Sequence, residues 1–351
     1  MAGPDPPIDL EILRDTQATN DFLANVPMEW PNPGDKSGYM AILVGNYMSS
    51  LIQKTTDNAV TAGKFLHDEV CKPLGIEDEF YLGLPSEIPD SRIATIDAKK
   101  NLELFFGGCH PDGFMRQIVL QPKSYVSRSF NNPRLSSEPT LMNFDRRQVR
   151  EVELPGVNVH ATSRAIAKIY SAVERAINDP KDENPLGFAP DTLRELQKPA
   201  QPSRFTGYYD EILMCECPLS LGFMKPLPDS EKDENPPPKG ARVSNFGCDE
   251  RAFGTSGAGG SLAFCDPESG LAFCYTMNRT GDCLVDDPRE FALRTKAYIC
   301  AQAMRGSDEP SLPLDRLTTP FYLNIPLLDR YPFLQPLPVR QKTVHTFPTV
   351  M

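Results

Sequence analysis

Residues 253–281, FGTSGAGGSLAFCDPESGLAFCYTMNRTG, constrain the fold more tightly than any other stretch of this chain. Gly254, Gly257, Gly259 and Gly260 cluster where an apolar run begins, a DPESG segment interrupts it, and a second apolar run follows. Both runs are too short for helices and are bounded by turn residues, so the pattern predicts antiparallel strands over 260–266 and 270–277. Pro267 presets the turn and Gly270 tolerates positive φ. Glycines at a strand edge let another backbone, or a ligand, come close. Such an edge can offer N–H groups to a carbonyl, which is the geometry of an oxyanion hole. It can equally be a bulge or a tight packing point, and the glycines alone leave both readings open.

The surrounding pattern places this hairpin among helices. YMAILVGNYMSSLIQK, residues 39–54, reads as a helix with a broad apolar face, and TAGKFLHDEVCKPLGI, residues 61–76, as a second helix stopped by Pro73 and Gly75. NVHATSRAIAKIYSAVERAIND is the clearest amphipathic helix, with Asn158 or Thr162 as cap and Ala165, Ile166, Ile169, Tyr170 and Val173 on one face. After the hairpin, DDPREFALRTKAYICAQAMRG reads as a final helix capped by Asp286 or Asp287 and stopped by Gly306. Residues 80–150 carry no clear period. Helices, then two antiparallel strands, then a helix predict an α+β fold, a sheet flanked by helices. The charged, proline-rich stretch 226–240 reads as an exposed loop within a domain spanning 1–306, and 307–351 as a proline-rich tail.

Composition excludes several function classes. A net charge of −11 disfavours binding to phosphate backbones, so no nucleic-acid partner is expected. No run of 18 apolar residues is present, so no membrane span is expected; the acidic, proline-rich start resembles neither a signal nor a transit peptide, which makes the cytoplasm the expected location. Nine cysteines scattered along 351 residues argue for reduced thiols. Cys215 and Cys217 form a C-x-C with Cys248 further on, but paired zinc knuckles are absent, so no metal and no cofactor are expected. Cys265, Cys274 and Cys300 read as small buried apolar side chains. Cys109 beside His110 could suggest a cysteine hydrolase, but neighbours on an extended segment point apart.

Three stretches together resemble the serine β-lactamase and penicillin-binding-protein-like family, in its class C-related esterase branch found in animals. The hairpin is similar to the family's third motif region, a strand with His-x-Gly-x-Gly-Gly or Lys-Thr-Gly followed by a text matched here by Asp266, Pro267, Glu268, Gly270, Leu271, Phe273, Tyr275 and Asn278. EWPNPGDKSGYMAILVGNYMSSLIQK, continuing to GLP near residue 85, resembles the family's segment from W-x-P-G through G-Y-H-A to G-L-P. ELPGVNVHATSRAIAKIYSAV is similar to the family's loop and helix after a Pro-x-x-Asn-Gly-type turn. The order is the family's, and the resemblance spans about residues 28–305.

The resemblance implies acyl hydrolysis or transfer by a serine in a Ser-x-x-Lys motif, whose lysine acts as base or relay, because a serine hydroxyl is a weak nucleophile until a neighbouring base takes its proton. It assigns Tyr39 as the second-motif tyrosine that assists proton transfer, and Thr255, Ser256 and Gly257 as the third motif, with the Ala258 N–H as oxyanion donor. The chain departs from the pattern at Met40, where the family has His, and at Thr255, where a basic His or Lys is expected. Ser-x-x-Lys occurs nowhere in the sequence, and no serine precedes Trp30. The expected fold is therefore a β-lactamase/transpeptidase-like antiparallel sheet that lacks the N-terminal strands and the nucleophile helix, with one open edge. Three expectations follow: a catalytically inactive family member, the C-terminal part of an active serine esterase or amidase, or a non-enzymatic binding or assembly protein. The first two imply a small acyl, ester or peptide-like ligand; the third implies self-association or a protein partner at the open sheet edge.

Overall fold

Side-chain caps set where most of the long helices begin. In the computed structural model, which describes residues 4, 6–56, 60–107, 110–111, 113–135, 144–179, 184–226, 246–257, 259–281, 283, 287–305 and 312, Asp9 caps α1 (Leu10–Arg14) and Asp15 caps α2 (Thr16–Asn25). Each aspartate accepts from a backbone N–H that the first turn leaves without a partner. The next helix, α3 (Val44–Thr55), starts later than the apolar pattern predicts, and residues 39–43 are not helical. The reason is a tertiary competition for backbone donors: Asp210 takes the Tyr39 N–H and Ser129 takes the Ala41 N–H. Thr61 caps α4 (Ala62–Leu66), which passes through one π turn at His67–Cys71 into α5 (Lys72–Leu74) and stops at Gly75 with φ of 60°.

The region without a clear period holds β1 (Phe80–Leu82) and four short helices, α6 (Asn101–Gly107), α7 (Phe114–Leu120), α8 (Tyr125–Asn131) and α9 (Arg147–Arg150). Next come β2 (Val159–Ala161), α10 (Ser163–Asn178) and α11 (Pro190–Gln197). Thr162, not Asn158, caps α10. Asn158 is buried one loop earlier, donating to Val149 and Val152 carbonyls and accepting from Leu154 N–H, so its side chain closes the turn that precedes the strand. The short strands β3 (Tyr209–Asp210), β4 (Cys215–Glu216), β5 (Leu219–Ser220) and β6 (Phe223–Met224) lead to β7 (Phe253–Ser256), β8 (Leu262–Asp266) and β9 (Leu271–Tyr275), and α12 (Pro288–Met304) follows with Asp287 as cap.

The largest sheet has the order β5-β6-β7-β8-β9, all antiparallel, and the predicted hairpin is its β8–β9 pair. Gly270 occupies the hairpin turn with φ of 65°. The two faces divide by the strand period of two. Phe253 and Cys265, a register pair, pack with Val173 of α10, while Phe264 of the opposite face stacks on Tyr298 of α12. Helices therefore cover both faces, the arrangement expected from the sequence. Among the described residues β9 pairs with β8 alone, so its outer edge is open. Cys265 is buried and Cys274 is half-buried, as small apolar side chains can be, whereas Cys300 is exposed on α12, against expectation. Most of the 226–240 loop and the 307–351 tail lie outside the described residues; Leu312 is buried in the main apolar cluster.

Gly254 answers part of what the glycine cluster is for. A Cβ there would sit 2.3 Å from the Ala263 carbonyl oxygen and 2.4 Å from the Phe264 Cβ, so β7 can approach β8 at this point because it carries no side chain. Gly254→Ala is expected to lower stability by about 1–3 kcal/mol, since the obstructing atoms belong to a paired strand. Urea unfolding followed by far-ultraviolet dichroism measures the change; an unaltered midpoint would refute tight packing at β7.

Candidate active site

Asp210 organises the site from below. Its carboxylate is fully buried, at 0% exposure, and accepts from Ser37 Oγ (3.0 Å), Tyr39 N (3.0 Å), Ile212 N (2.9 Å) and Leu213 N (2.9 Å). A buried carboxylate is tolerated when donors replace its water, and here backbone and hydroxyl donors do so. The result ties the segment carrying Tyr39 to the turn after β3. Ser129 of α8 adds a second clamp, donating to the Tyr39 carbonyl (2.7 Å) and accepting from Ala41 N (3.0 Å). Phe130, next along α8, packs its ring 6.4 Å from the Tyr39 ring.

The Tyr39 segment and the end of β7 face one cavity of about 320 Å³. Tyr39, Ser256, Gly257 and Gly259 all line it, with Phe130, Met224 and Met277 among its apolar walls. The structure thus brings together the second-motif tyrosine and two of the third-motif residues, which lie more than 200 positions apart in the sequence. Thr255 is not brought in: the strand period turns its side chain to the opposite face, where it is exposed. Ala258 lies outside the described residues. Cys109 does too, and His110 Nε2 donates to the Leu104 carbonyl at 2.8 Å.

The turn after β7 is held by a polar clasp. Gly259 and Gly260 take φ of 97° and 109°, values an L side chain rarely adopts. The Gly259 carbonyl accepts from Arg289 Nη2 (2.7 Å) and Gly281 N (2.8 Å), and Arg289 is in turn held by the buried Asp287. A Cβ on Gly260 would meet the Asp287 side chain at 2.7 Å. These glycines fix where the turn sits against α12, while Gly254 fixes how β7 meets β8.

The cavity's electrostatics differ from those of an activated nucleophile. Tyr39 is the one titratable side chain among its described lining residues. Burial, and then the neighbouring Cys217 and Asp210, push the Tyr39 phenol up to about 12. Two serine hydroxyls line the cavity, and both donate to thioethers: Ser256 Oγ to Met224 Sδ and Ser261 Oγ to Met277 Sδ, each at 3.5 Å. A thioether is a weak acceptor and no base. A second cavity of about 680 Å³ adjoins, sharing Phe144, Val157, Ser261 and Met277, and brings His160 and Arg150 near the site. Burial, and then the Arg150 charge, hold His160 below the usual imidazole range. Among the described residues no cluster of His, Cys, Asp and Glu could hold a metal ion, and no helix is long and apolar enough to cross a membrane.

Sequence reasoning missed Asp210, Ser129 and His160. Asp210 stands in an unremarkable YYDEILMC run, and Ser129 in a region without period, so neither carries a local signal. His160 lies in the stretch that reads as the start of an amphipathic helix, whereas it stands on β2, and its surroundings are set by β1 and residues 144–158.

With fold and cleft in view, comparison with known proteins is direct. The Beta-lactamase family profile matches residues 1–295. The chain belongs to this family, and its fold is the β-lactamase/transpeptidase-like one. Similar solved structures include a family VIII carboxylesterase, with a TM-score of 0.61 and 23% identity over 85% of this chain and 68% of that one. A penicillin-binding protein homolog from Caulobacter crescentus gives 0.61 and 23% over 85% and 67%. EstA from Arthrobacter nitroguajacolicus Rue61a gives 0.64 and 22% over 87% and 70%. No curated protein matches the sequence at a significant level.

The raised Tyr39 pKa has a definite sign in stability. The folded phenol holds its proton to about 12 while an unfolded tyrosine releases it near 10, so the folded state binds more protons in that window. The Tyr39 contribution is complete below pH 10 and is lost as pH rises towards 12. Comparing unfolding of the wild type and Tyr39→Phe from pH 9 to 12 should show a steeper loss in the wild type; parallel curves would contradict it.

Proposed function

We propose that this chain is a catalytically silent member of the beta-lactamase family whose cleft binds a small, uncharged acyl, ester or peptide-like ligand. One observation carries the reading: the hydroxyls at the cleft, Ser256 and Ser261, each donate to a methionine sulfur, which is no base. The sequence adds to it, since Ser-x-x-Lys is absent and Thr255 stands where the family has a basic residue. A tyrosine serves proton transfer when a nearby cation lowers its pKa; Tyr39 has burial and the Asp210 carboxylate instead, which favour the neutral phenol at pH 7. What remains is a chamber with aromatic and thioether walls and a few neutral polar groups, Tyr39, Asn278 and Thr280, suited to orienting a neutral carbonyl compound.

A second reading has its own support. The solved structures named above leave about a third of their length outside the match, taking 100 − 68, 100 − 67 and 100 − 70, so a nucleophile could be supplied by residues beyond this sequence. The open edge of β9 supports a third, pairing with a second copy or a protein partner. A cytoplasmic location remains part of the proposal and rests on the sequence alone.

A fluorophosphonate probe tests the first reading. The purified 351-residue chain is expected to take up no label, and intact mass spectrometry reads the result. Stoichiometric labelling of any serine would overturn it. A longer endogenous polypeptide that carries Ser-x-x-Lys and takes the label would favour the second reading, and a discrete dimer in sizing chromatography the third.

A further inference from the structure

Helix α3 is inside out. Its polar residues Asn46, Ser49, Ser50 and Gln53 fall at i, i+3, i+4 and i+7 and so share one face, and that face is turned inward: Asn46 is 4% exposed and Gln53 6%. Its apolar residues Val44, Met48 and Leu51 form the opposite stripe and are 42%, 51% and 55% exposed. The inward polar stripe forms one wall of a cavity of about 300 Å³ between α2, α3 and residues 151–153, distinct from the Tyr39 cleft and sharing none of its lining residues. At this wall Asn46 Oδ1 and Ser49 Oγ are buried without a hydrogen-bond partner. Buried polar atoms are nearly always satisfied, and an unsatisfied pair on one cavity wall marks a place where something supplies the missing partners.

The wall chemistry specifies what that is. The charged groups at the rim are held in place. Both Glu153 oxygens accept from neutral donors, Thr61 Oγ1 (2.8 Å) and Gly63 N (2.8 Å), which leave its negative charge. Glu151 pairs with Arg147 at 2.7 Å, and Arg14 donates to the Gln148 carbonyl and pairs with Glu11. With Glu151 and Glu153 against Arg14 among the lining residues, the rim disfavours an anionic ligand. An apolar ligand would strand the amides and hydroxyls. Carboxamides and hydroxyls both donate and accept, as do the hydroxyls of a sugar or cyclitol. The volume stands at the lower end of small-molecule sites. Asn20 preorganises the floor, donating to Gln53 Oε1 at 3.0 Å and accepting from Ser50 Oγ.

We infer that the α2–α3 cavity is a binding site for an uncharged, multiply hydroxylated molecule of about monosaccharide size. The site stands apart from the cleft and does not depend on how the cleft is read.

Amide-proton NMR titration of the full chain with D-glucose, N-acetyl-D-glucosamine and myo-inositol tests this. At least one should give saturable shifts centred on residues 46, 49 and 53, with residues 39, 256 and 261 unmoved. D-glucuronate, an anion, should bind at least about tenfold more weakly. Ser49→Val and Gln53→Leu should each weaken binding about tenfold, while Met48→Gln, on the outward face, should leave it unchanged. Because the wild-type titration stands without any variant, loss of folding in one of them does not blunt the test. Absence of saturable shifts with all three neutral probes would overturn the inference and leave a cavity that holds water alone; equal binding of D-glucuronate would overturn its preference for an uncharged ligand.

Discussion

The buried carboxylate of Asp210 is the interaction on which the cleft depends. Four donors converge on it, two from the segment that carries Tyr39 and two from the turn after β3. Nothing else in that segment is regular: residues 39–43 lie between a loop and α3 and have no ladder or helix to satisfy their N–H groups. Asp210 and Ser129 supply partners to the Tyr39 and Ala41 N–H groups, and with the packing of Phe130 they help set where the tyrosine stands. A group that satisfies several backbone donors at once contributes more through what its loss would strand than through its net attraction. Position and electrostatics come from the same atom. The carboxylate that holds the Tyr39 backbone also opposes ionisation of the Tyr39 phenol.

That coupling bears on the proposal that the chain keeps the family's cleft without its chemistry. The scaffold needs β7 close to β8, the Gly259–Gly260 turn clasped by Arg289 and Asp287, and the Tyr39 segment pinned from below. None of these requirements involves a nucleophile, and the one cation among them, Arg289, is paired with Asp287. Methionine sulfurs stand next to the hydroxyls, Thr255 faces away, and the remaining titratable group favours its neutral form. Shape is held by packing and hydrogen bonds around the cleft, which do not depend on a charged group inside it.

Much of this was legible in the sequence because it is local. The β8–β9 hairpin follows from Pro267 and Gly270 between two apolar runs, and α10 from a cap at Thr162 ahead of an amphipathic period. The family resemblance, carried by short motifs, led to Tyr39, Ser256 and Gly257, which share a cavity. What was not legible is what tertiary contacts decide. The start of α3 moved because Asp210, more than 150 residues away, claims a backbone donor. The inward turn of α3's polar stripe cannot be read from its period, since the period fixes which residues share a face and not which face is buried. Thr255 falls on the outer face through β-strand alternation, although its neighbours in the motif reach the cleft.

The account's central claim is that the cleft keeps the family's shape without an activated serine. Initial-rate hydrolysis of p-nitrophenyl butyrate tests it most directly, with the purified chain compared against its Ser256→Ala variant and against buffer. The account predicts rates indistinguishable from buffer for both proteins. Turnover by the wild type that disappears in Ser256→Ala would contradict it, because Ser256 would then have found a base that its contact with Met224 does not provide.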